Sequence, residues 1–290
     1  MYKTLKSFEF FEPTSFEEAS RILSKFGQRA KLLAGGVDLI YRMRQREVEP
    51  VAVVSIQRVA GSEYISITKS ELRIGALTRL RSIERGREVK ENYTLLWEAI
   101  HQIDSLEVKN MGTLVGNLCV ATPASDVATS LLALDGRLKS QSSGLERTIP
   151  LERFYTGVGK TTLGPGEIVT EVILPRLPHN AGTAFTNLNR TPTDISKVAV
   201  AVVLTKSGDV CNAAKIALGA VAQTVIRAKK AENMLMGQRL TEHLIENVSE
   251  AAASGAKPIT DIRSTADYRR LMVKILVRRA IKTAWERALR

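Results

Sequence analysis

The stretch MGTLVGNLCVATPASD, from Met111 to Asp126, is the segment around which this sequence is organised. Two glycines, Gly112 and Gly116, bracket Thr113, and the stretch ends in short polar side chains. Glycine tolerates positive φ angles and lets a ligand approach the main chain, and consecutive N–H groups that point the same way bind anions. The pattern therefore predicts a loop that offers main-chain N–H groups to phosphates or sugar hydroxyls.

A second glycine turn lies earlier, in the segment KLLAGGVDL from Lys31 to Leu39. An apolar run over residues 30–34 predicts a short buried strand, which breaks at Gly35 and Gly36 before a helical pattern over residues 37–43. Because GxGxxG is absent, a Rossmann site is disfavoured, and two separate turns better fit a long ligand with a central pyrophosphate, such as FAD. Glycine pairs beside strands are also common structural turns, so that alternative stays open.

Length and composition set further bounds. The 290 residues, 44% of them hydrophobic, predict two or three domains. No run approaches the roughly 20 apolar residues of a membrane span, and the N-terminus has no secretory signal pattern, so we expect a cytoplasmic protein. Two cysteines and three histidines without ligand spacing exclude a disulfide framework, a four-thiolate cluster and a closed zinc site. Any metals in the chemistry are expected on other chains.

The formal net charge of +12 permits an acidic or polyanionic partner. The basic residues are spread along the chain, and no helix-turn-helix, zinc-finger or RNP pattern is present. A solvated or subunit-facing basic surface is therefore favoured, and a nucleic-acid-binding module ranks last among the functional hypotheses.

Apolar periodicity predicts the remaining elements. Ser15 and Glu18 form a capping box for a helix that ends at Gly27, and Asp126 lies near the start of another helix, as a cap or as a ligand contact. A long terminal helix carries a stripe that we interpret as core packing: Leu271, Ile275, Leu276 and Ile281. We predict strands at residues 51–56, 64–68, 72–77, 137–140, 168–174, 184–188, 198–204 and 213–221, and further helices at 94–103, 151–155, 227–236, 242–253 and 266–289.

The two glycine segments together resemble a known family. AGGVDL (residues 34–39) and GTLVGNLCVATPASD (residues 112–126) are similar to the AGGTDL and GTxGGNxxxxxPxSD signatures of the FAD-binding medium subunit of molybdenum hydroxylases. This is the family of xanthine dehydrogenase and carbon monoxide dehydrogenase. Further similarity covers residues 166–175, 189–202, 216–232 and 261–280, in the same order. The chain is identified as a member of this family over essentially its whole length.

The resemblance implies an α+β fold. A two-lobed MurB-like (PCMH-type) FAD-binding domain would comprise residues 1–58 (a small α/β lobe) and residues 59–178. A C-terminal domain of antiparallel sheet plus helices would follow at residues 179–290.

The resemblance also implies a role as an oxidoreductase subunit in a heterotrimer or its dimer. FAD would take electrons from an iron-sulfur small subunit and pass them to an external acceptor, while hydroxylation occurs at molybdopterin on a large subunit. It assigns no catalytic residue or metal ligand to this chain. The organic substrate and the acceptor stay undetermined.

The implied cofactor contacts fall into three groups. The glycine segments would line the pyrophosphate, Asp126 would bond flavin-side or ribose hydroxyls, and two apolar residues would pack against FAD rings. The residues are Leu32, Leu33, Ala34, Gly35, Gly36, Val37, Asp38, Leu39, Thr113, Leu114, Val115, Gly116, Asn117 and Asp126, with Ile103 and Val169 as the apolar pair.

Three departures from the family pattern are present. Val37 stands where a hydroxyl or amide residue is usual, and Val115 replaces the first glycine of GGN, where a β-branched residue disfavours positive φ. A lysine often found after Phe185 is missing, since Thr186 and Asn187 follow. These changes leave open a flavin-deficient structural subunit as the alternative. Two single residues receive no role: Cys119 is expected to be a small buried thiol, and His101 a packing or surface residue.

Overall fold

The computed structural model of the chain describes residues 4–191 and 193–288. A first lobe combines three short strands with two helices. Its elements are β1 (Glu9–Phe11), α1 (Phe16–Phe26), β2 (Ala30–Leu33), α2 (Val37–Gln45) and β3 (Ala52–Ser55). The strands form a parallel sheet in the order β1-β3-β2, and the central strand β3 is buried along its length.

The second lobe contains an antiparallel sheet in the order β4-β5-β10-β6-β7, a small hairpin and six helices. Its strands are β4 (Ile65–Ile67), β5 (Glu71–Gly75), β6 (Arg137–Ser142), β7 (Leu145–Pro150), β8 (Tyr155–Gly157), β9 (Lys160–Thr161) and β10 (Ile168–Pro175). Its helices are α3 (Leu80–Arg85), α4 (Arg87–Asn92), α5 (Thr94–His101), α6 (Leu106–Met111), α7 (Leu114–Cys119) and α8 (Asp126–Ala133).

The C-terminal part is an antiparallel sheet in the order β11-β12-β13-β14, with β15 also pairing with β13. Its elements are β11 (Ala181–Leu188), β12 (Val198–Ser207), β13 (Val210–Gly219), β14 (Ile226–Arg227), α9 (Lys229–Leu235), β15 (Gln238–Arg239), α10 (Glu242–Gly255) and α11 (Ala266–Arg287). Two 3-10 turns, Gly27–Arg29 and Leu151–Arg153, complete the fold.

The three parts pack through two cores. One core joins both lobes, because Val54 of β3, Leu72 of β5 and Leu114 of α7 belong to the same cluster. Alternate residues of β12 divide between the cores: Val202 faces the cluster that includes α10 and α11, and Ala201 faces the cluster shared with the lobes. This period of two buries both faces of the C-terminal sheet and fixes it against the second lobe.

Most of the predicted elements are confirmed. The capping box at α1 is present, with Ser15 Oγ accepting from Glu18 N at 3.2 Å, although Glu18 accepts from Thr14 N instead of Ser15 N. Gly27, with φ of 57°, ends the helix as predicted. The proposed boundaries after residues 58 and 178 fall in the connections between sheets and remain predictions.

Two predictions about elements are wrong. The helix expected at residues 151–155 is only a 3-10 turn followed by β8, because too few residues are available there to offset the cost of helix nucleation. Leu271 is not a core residue: its side chain is 53% exposed. It lies two positions, or about 200° around the helix, from Val273, which faces the sheet.

No helix among the described residues combines the length and apolar character that crossing a lipid bilayer requires.

A buried ion pair connects β14 to α9 in the C-terminal part. Arg227 donates to Glu232 through Nε at 2.5 Å and Nη2 at 2.9 Å, and Ile216 N also donates to Glu232. Arg227 reaches back to Asp135, in the turn after α8, at 3.1 Å. One guanidinium therefore neutralises a buried carboxylate and ties the sheet to the second lobe.

We expect Arg227→Met to lower the free energy of unfolding by about 3–5 kcal/mol, because it leaves the Glu232 carboxylate buried without a counter-charge. Glu232 is only 6% exposed. The matched control is Lys229→Met, which breaks an exposed pair with Glu152 and should cost less than about 1 kcal/mol. Urea denaturation followed by circular dichroism measures both, and equal losses would contradict the assignment.

Candidate functional site

The two glycine turns predicted from the sequence meet in space. A Cβ on Gly35 would lie 2.0 Å from the Met111 carbonyl oxygen and 3.1 Å from Gly112 Cα. Real Cβ atoms do not approach a main chain so closely, so only glycine permits this contact. The turn before α2 and the end of α6 are thereby held together.

The glycines differ in why they are needed. Gly36 has a φ of 76°, in the left-handed region, as the strand-to-helix turn requires. Gly112 and Gly116 do not have positive φ. They are needed for space, since a Cβ on Gly112 would lie 2.7 Å from Val108 O and one on Gly116 2.7 Å from Thr113 Oγ1.

The central stretch is more ordered than the loop predicted from the sequence. Residues 114–119 form α7, whose N-cap Thr113 accepts from Gly116 N at 3.0 Å. Some of the main-chain N–H groups that were expected to face a ligand therefore form hydrogen bonds within α7 or with its N-cap. Because Val115 is helical and buried, it needs no positive φ, which removes the objection raised by its β-branched side chain.

Helix α2 begins without a side-chain cap. Its N-cap is Gly36, and Val37 at the first position is 37% exposed. Ser or Thr side chains cap α1, α6, α7, α8, α10 and α11, whereas α3, α4, α5 and α9 also begin without a side-chain cap. The first N–H groups of a helix lack intrahelical partners and carry partial positive charge, so they suit an anion. The negative charge of Asp38 opposes this and is partly offset by Arg42, 3.8 Å away.

A cleft of about 280 Å³ lies between the second lobe and the C-terminal sheet. The connection from α5 to α6, the start of α8 and the segment before β12 form its walls. Three residues predicted as cofactor contacts line it: Ile103, Asn117 and Asp126. Asn117 is held by Ser125, whose Oγ donates to Asn117 Oδ1 at 2.6 Å.

Asp126 does not cap α8. Ser125 is the N-cap, accepting from Ala128 N at 3.0 Å, so the capping interpretation of Asp126 is wrong. The Asp126 side chain instead reaches the C-terminal part, where Asn187 Nδ2 and Ser196 Oγ each lie 3.0 Å from Oδ2. Asp126 thus joins the second lobe to the C-terminal sheet inside the cleft.

The other carboxylate oxygen of Asp126, Oδ1, is buried and has no hydrogen-bond partner. Desolvation raises the pKa of Asp126 to about 6, against the opposing effect of the donors Ser196 and Asn187. A buried acceptor without a donor is unusual in a folded protein. Asp126 lines the cleft, and its contact with a cofactor stays a prediction.

The remaining residues predicted to contact the cofactor lie at half-buried or buried positions outside the cleft. Residues 32–36 and Leu39 are half-buried at the turn before α2 and within it. Leu114 and Val115 lie in the core. Val169 is only 2% exposed in β10, so its contact with a cofactor ring remains a prediction to which the structure gives no support.

Cys119 is exposed, so the expectation of a buried thiol is wrong. Although the residue as a whole is exposed, desolvation by the surrounding protein raises the pKa of its thiol to about 12. A thiol that stays protonated is a poor nucleophile, and a redox role is disfavoured. His101 stacks on Trp97 at 4.6 Å between ring centroids and contacts Glu84, as a surface packing residue does.

Sequence reasoning missed a residue that secures both walls of the cleft. Arg269, buried on α11, donates to Lys197 O at 3.1 Å and to Ala220 O at 2.9 Å. Lys197 follows Ser196 in one wall, and Ala220 N donates to Pro123 O in the other at 2.7 Å. Asn187 and Ser196 were also missed, because their polar side chains show no local pattern.

Comparison with known proteins matches the chain to two family models. Residues 6–177 match the FAD binding domain in molybdopterin dehydrogenase. Residues 183–284 match the CO dehydrogenase flavoprotein C-terminal domain.

Similar proteins span nearly the same length. The chain is 34% identical over 284 residues to 6-hydroxypseudooxynicotine dehydrogenase complex subunit alpha of Paenarthrobacter nicotinovorans, covering 97% of this chain and 96% of that protein. It is 31% identical over 280 residues to the carbon monoxide dehydrogenase medium chain of Hydrogenophaga pseudoflava, covering 97% and 98%.

Solved structures agree with this similarity. A chain of carbon monoxide dehydrogenase from Hydrogenophaga pseudoflava, in a form lacking the Mo-pyranopterin moiety of the molybdenum cofactor, superposes with a TM-score of 0.96 at 31% identity, covering 99% of this chain and 100% of that chain. A chain of quinoline 2-oxidoreductase from Pseudomonas putida 86 gives a TM-score of 0.92 at 26% identity, covering 99% and 100%.

We predict that Gly35→Ala lowers the free energy of unfolding by about 1–3 kcal/mol or more, because the added methyl group forces the turn before α2 away from Met111. The control is Gly255→Ala at the end of α10, where no atom lies within 4 Å of the new Cβ. That variant should be neutral or more stable by up to about 1 kcal/mol. Thermal denaturation distinguishes them, and an undiminished Gly35→Ala stability would show that the turns do not pack as described.

Proposed function

The chain belongs to the family of FAD-binding medium subunits of molybdenum hydroxylases, and on this premise we propose that it is the electron-transfer subunit of such an oxidoreductase. FAD bound to this chain receives electrons from an iron-sulfur small subunit and delivers them to an external acceptor. The observation that carries the FAD assignment is the buried, unpartnered Asp126 Oδ1 in the wall of the cleft.

The residues present fit the cofactor at two places. The uncapped start of α2, held against Met111, offers main-chain N–H groups to a diphosphate. The cleft offers the Asp126 acceptor and the Asn117 amide to hydroxyl or N–H groups, and Ile103 supplies apolar surface. FAD contains all three kinds of group in one extended molecule.

Bound FAD supplies the redox chemistry, while the chain binds and orients it. Asp126 fixes the cofactor through one hydrogen bond, α2 neutralises part of the diphosphate charge, and the walls of the cleft exclude water. No side chain of this subunit is proposed to react. The hydroxylation chemistry belongs to a molybdopterin-containing large subunit, and the chain works in a heterotrimer or its dimer.

Two further expectations from the sequence belong to this proposal. The chain is cytoplasmic, and its basic surface faces partner subunits instead of nucleic acid. Purifying the chain with its partners and measuring iron, acid-labile sulfide and molybdenum in the complex tests the subunit arrangement. A chain that assembles only with metal-free proteins would contradict it.

The flavin-deficient alternative depends on Val37 and on the missing lysine near Thr186. Val37 at the start of α2 offers no side-chain hydrogen bond, and Asn187 is neutral. The helical conformation of Val115 removes the third ground for this alternative. Visible flavin absorbance of the purified chain decides between the two, since the structural subunit would have none.

We predict that Val37→Asp weakens FAD binding about tenfold, because it places a second carboxylate beside the diphosphate. An acidic residue at the first position of a helix is favourable to the fold, so stability should not fall. Leu145→Asp, at the exposed tip of the hairpin between β6 and β7, adds the same charge away from the site and should bind FAD normally. Quenching of flavin fluorescence on titration measures both affinities. Equal affinities would place the diphosphate elsewhere.

A further inference from the structure

We propose that Ser196 and Asn187 are positioning residues that hold the Asp126 carboxylate ionised, with Oδ1 facing the cofactor, and so set the pH range in which FAD binds. This rests on the proposed function, because it takes Asp126 Oδ1 as a direct contact of the cofactor. Asn187 lies in β11 and Ser196 in the segment before β12, a part of the chain where the sequence predicted no cofactor contact.

The geometry makes Asp126 asymmetric. Asn187 near the end of β11 and Ser196 just before β12 both bind Oδ2 at 3.0 Å, while Oδ1 has no protein donor. Asn187 Nδ2 also donates to Ser196 Oγ at 3.1 Å, so the two donors support each other. With Oδ2 held by two donors, the carboxylate cannot rotate freely, and Oδ1 is left as the oxygen that no described protein group satisfies.

The Ser196 hydroxyl has two acceptors but one proton. Its oxygen lies 3.0 Å from Asp126 Oδ2 and 2.9 Å from Asn189 Oδ1. A hydroxyl can donate to only one of them at a time, and an ionised carboxylate is the stronger acceptor. The Ser196 proton therefore belongs to Asp126 when Asp126 is charged and to Asn189 when Asp126 is protonated.

This arrangement gives the pH dependence its sign. Burial raises the pKa of Asp126 to about 6, and the donors Ser196 and Asn187 hold it from rising further. A cofactor N–H or O–H group pointing at Oδ1 favours the ionised carboxylate. FAD affinity should thus be full above about pH 6 and fall as the pH drops through that value, because the ligand then competes with a proton.

Other charged groups also face the cleft. Asp104 lies in the connection from α5 to α6, and Asp194 lies in the segment before β12, where Arg190 Nε is 3.4 Å from its carboxylate. Lys197 follows Ser196 immediately before β12, next to the residues that line the cleft. Asp104, Asp194, Arg190 and Lys197 are unchanged in the variants below. A difference between wild type and variant in the pH at which FAD affinity falls therefore cannot come from their titration.

The test titrates the purified full chain with FAD between about pH 5 and 8, following flavin fluorescence. In Ser196→Ala we expect the pH at which affinity falls to move up by about one unit, with less than about a threefold loss at pH 8. Asn187→Ala should move it in the same direction. Thr193→Ala is the matched control, because it removes a hydroxyl from the same cleft that makes no bond to Asp126.

A double-mutant cycle separates positioning from general damage. Asp126→Asn should lose about tenfold or more in FAD affinity at pH 8 and lose the dependence near pH 6. Adding Ser196→Ala to Asp126→Asn should then change nothing further, because its effect passes through the carboxylate. The proposal is overturned if the loss caused by Ser196→Ala is equal at every pH, or if that loss persists when the Asp126→Asn substitution is already present.

The failure of this inference differs from the failure of the proposed function. If the wild-type chain binds no FAD at any pH, the proposed function is wrong. If it binds FAD and Asp126→Asn binds equally well, FAD binding stands and the role of Asp126 is overturned, together with that of Ser196 and Asn187. If only the Ser196 and Asn187 variants behave like wild type, Asp126 is a contact without positioning residues.

Discussion

The close approach of Gly35 to the Met111 carbonyl is the constraint on which the site depends. It joins the turn before α2 to the end of α6, and these belong to different lobes. A side chain at position 35 would separate them by the width of a methyl group. This contact places the uncapped start of α2 beside the beginning of the central stretch.

The C-terminal sheet is part of the same construction. Its residues Asn187 and Ser196 complete the environment of Asp126, and Arg269 on α11 ties the segment after Ser196 to the end of β13. The Ala220 N–H group in turn donates a hydrogen bond to Pro123 O, in the opposite part of the chain around the cleft. The cleft wall is therefore fixed from a helix that does not itself line it.

Buried carboxylates of this chain are stabilised in two different ways: by a basic partner, or by neutral hydrogen-bond donors alone. Glu232 is neutralised by Arg227, and although burial alone would raise the pKa of Glu84, its basic partners hold that pKa at about 2. Asp126 receives only neutral donors, and its second oxygen receives none. Burying a carboxylate without a cation is costly, and proteins keep such groups mainly at functional positions. This contrast, more than any sequence motif, distinguishes Asp126 from the structural ion pairs.

The amino-acid sequence indicated where several elements begin and end, because capping residues, apolar periodicity and glycine turns are local signals, as at Ser15, Gly27 and Gly36. It also indicated the two glycine segments and Asp126. It did not show that Gly112 and Gly116 are required for space, that Val115 lies in a helix, or that Leu271 faces outward. These three features depend on which helices and strands pack against one another in the folded chain. The partners of Asp126 and the role of Arg269 were decided only by the tertiary structure, since hydrogen bonds between residues 49 or more positions apart leave no trace in local sequence.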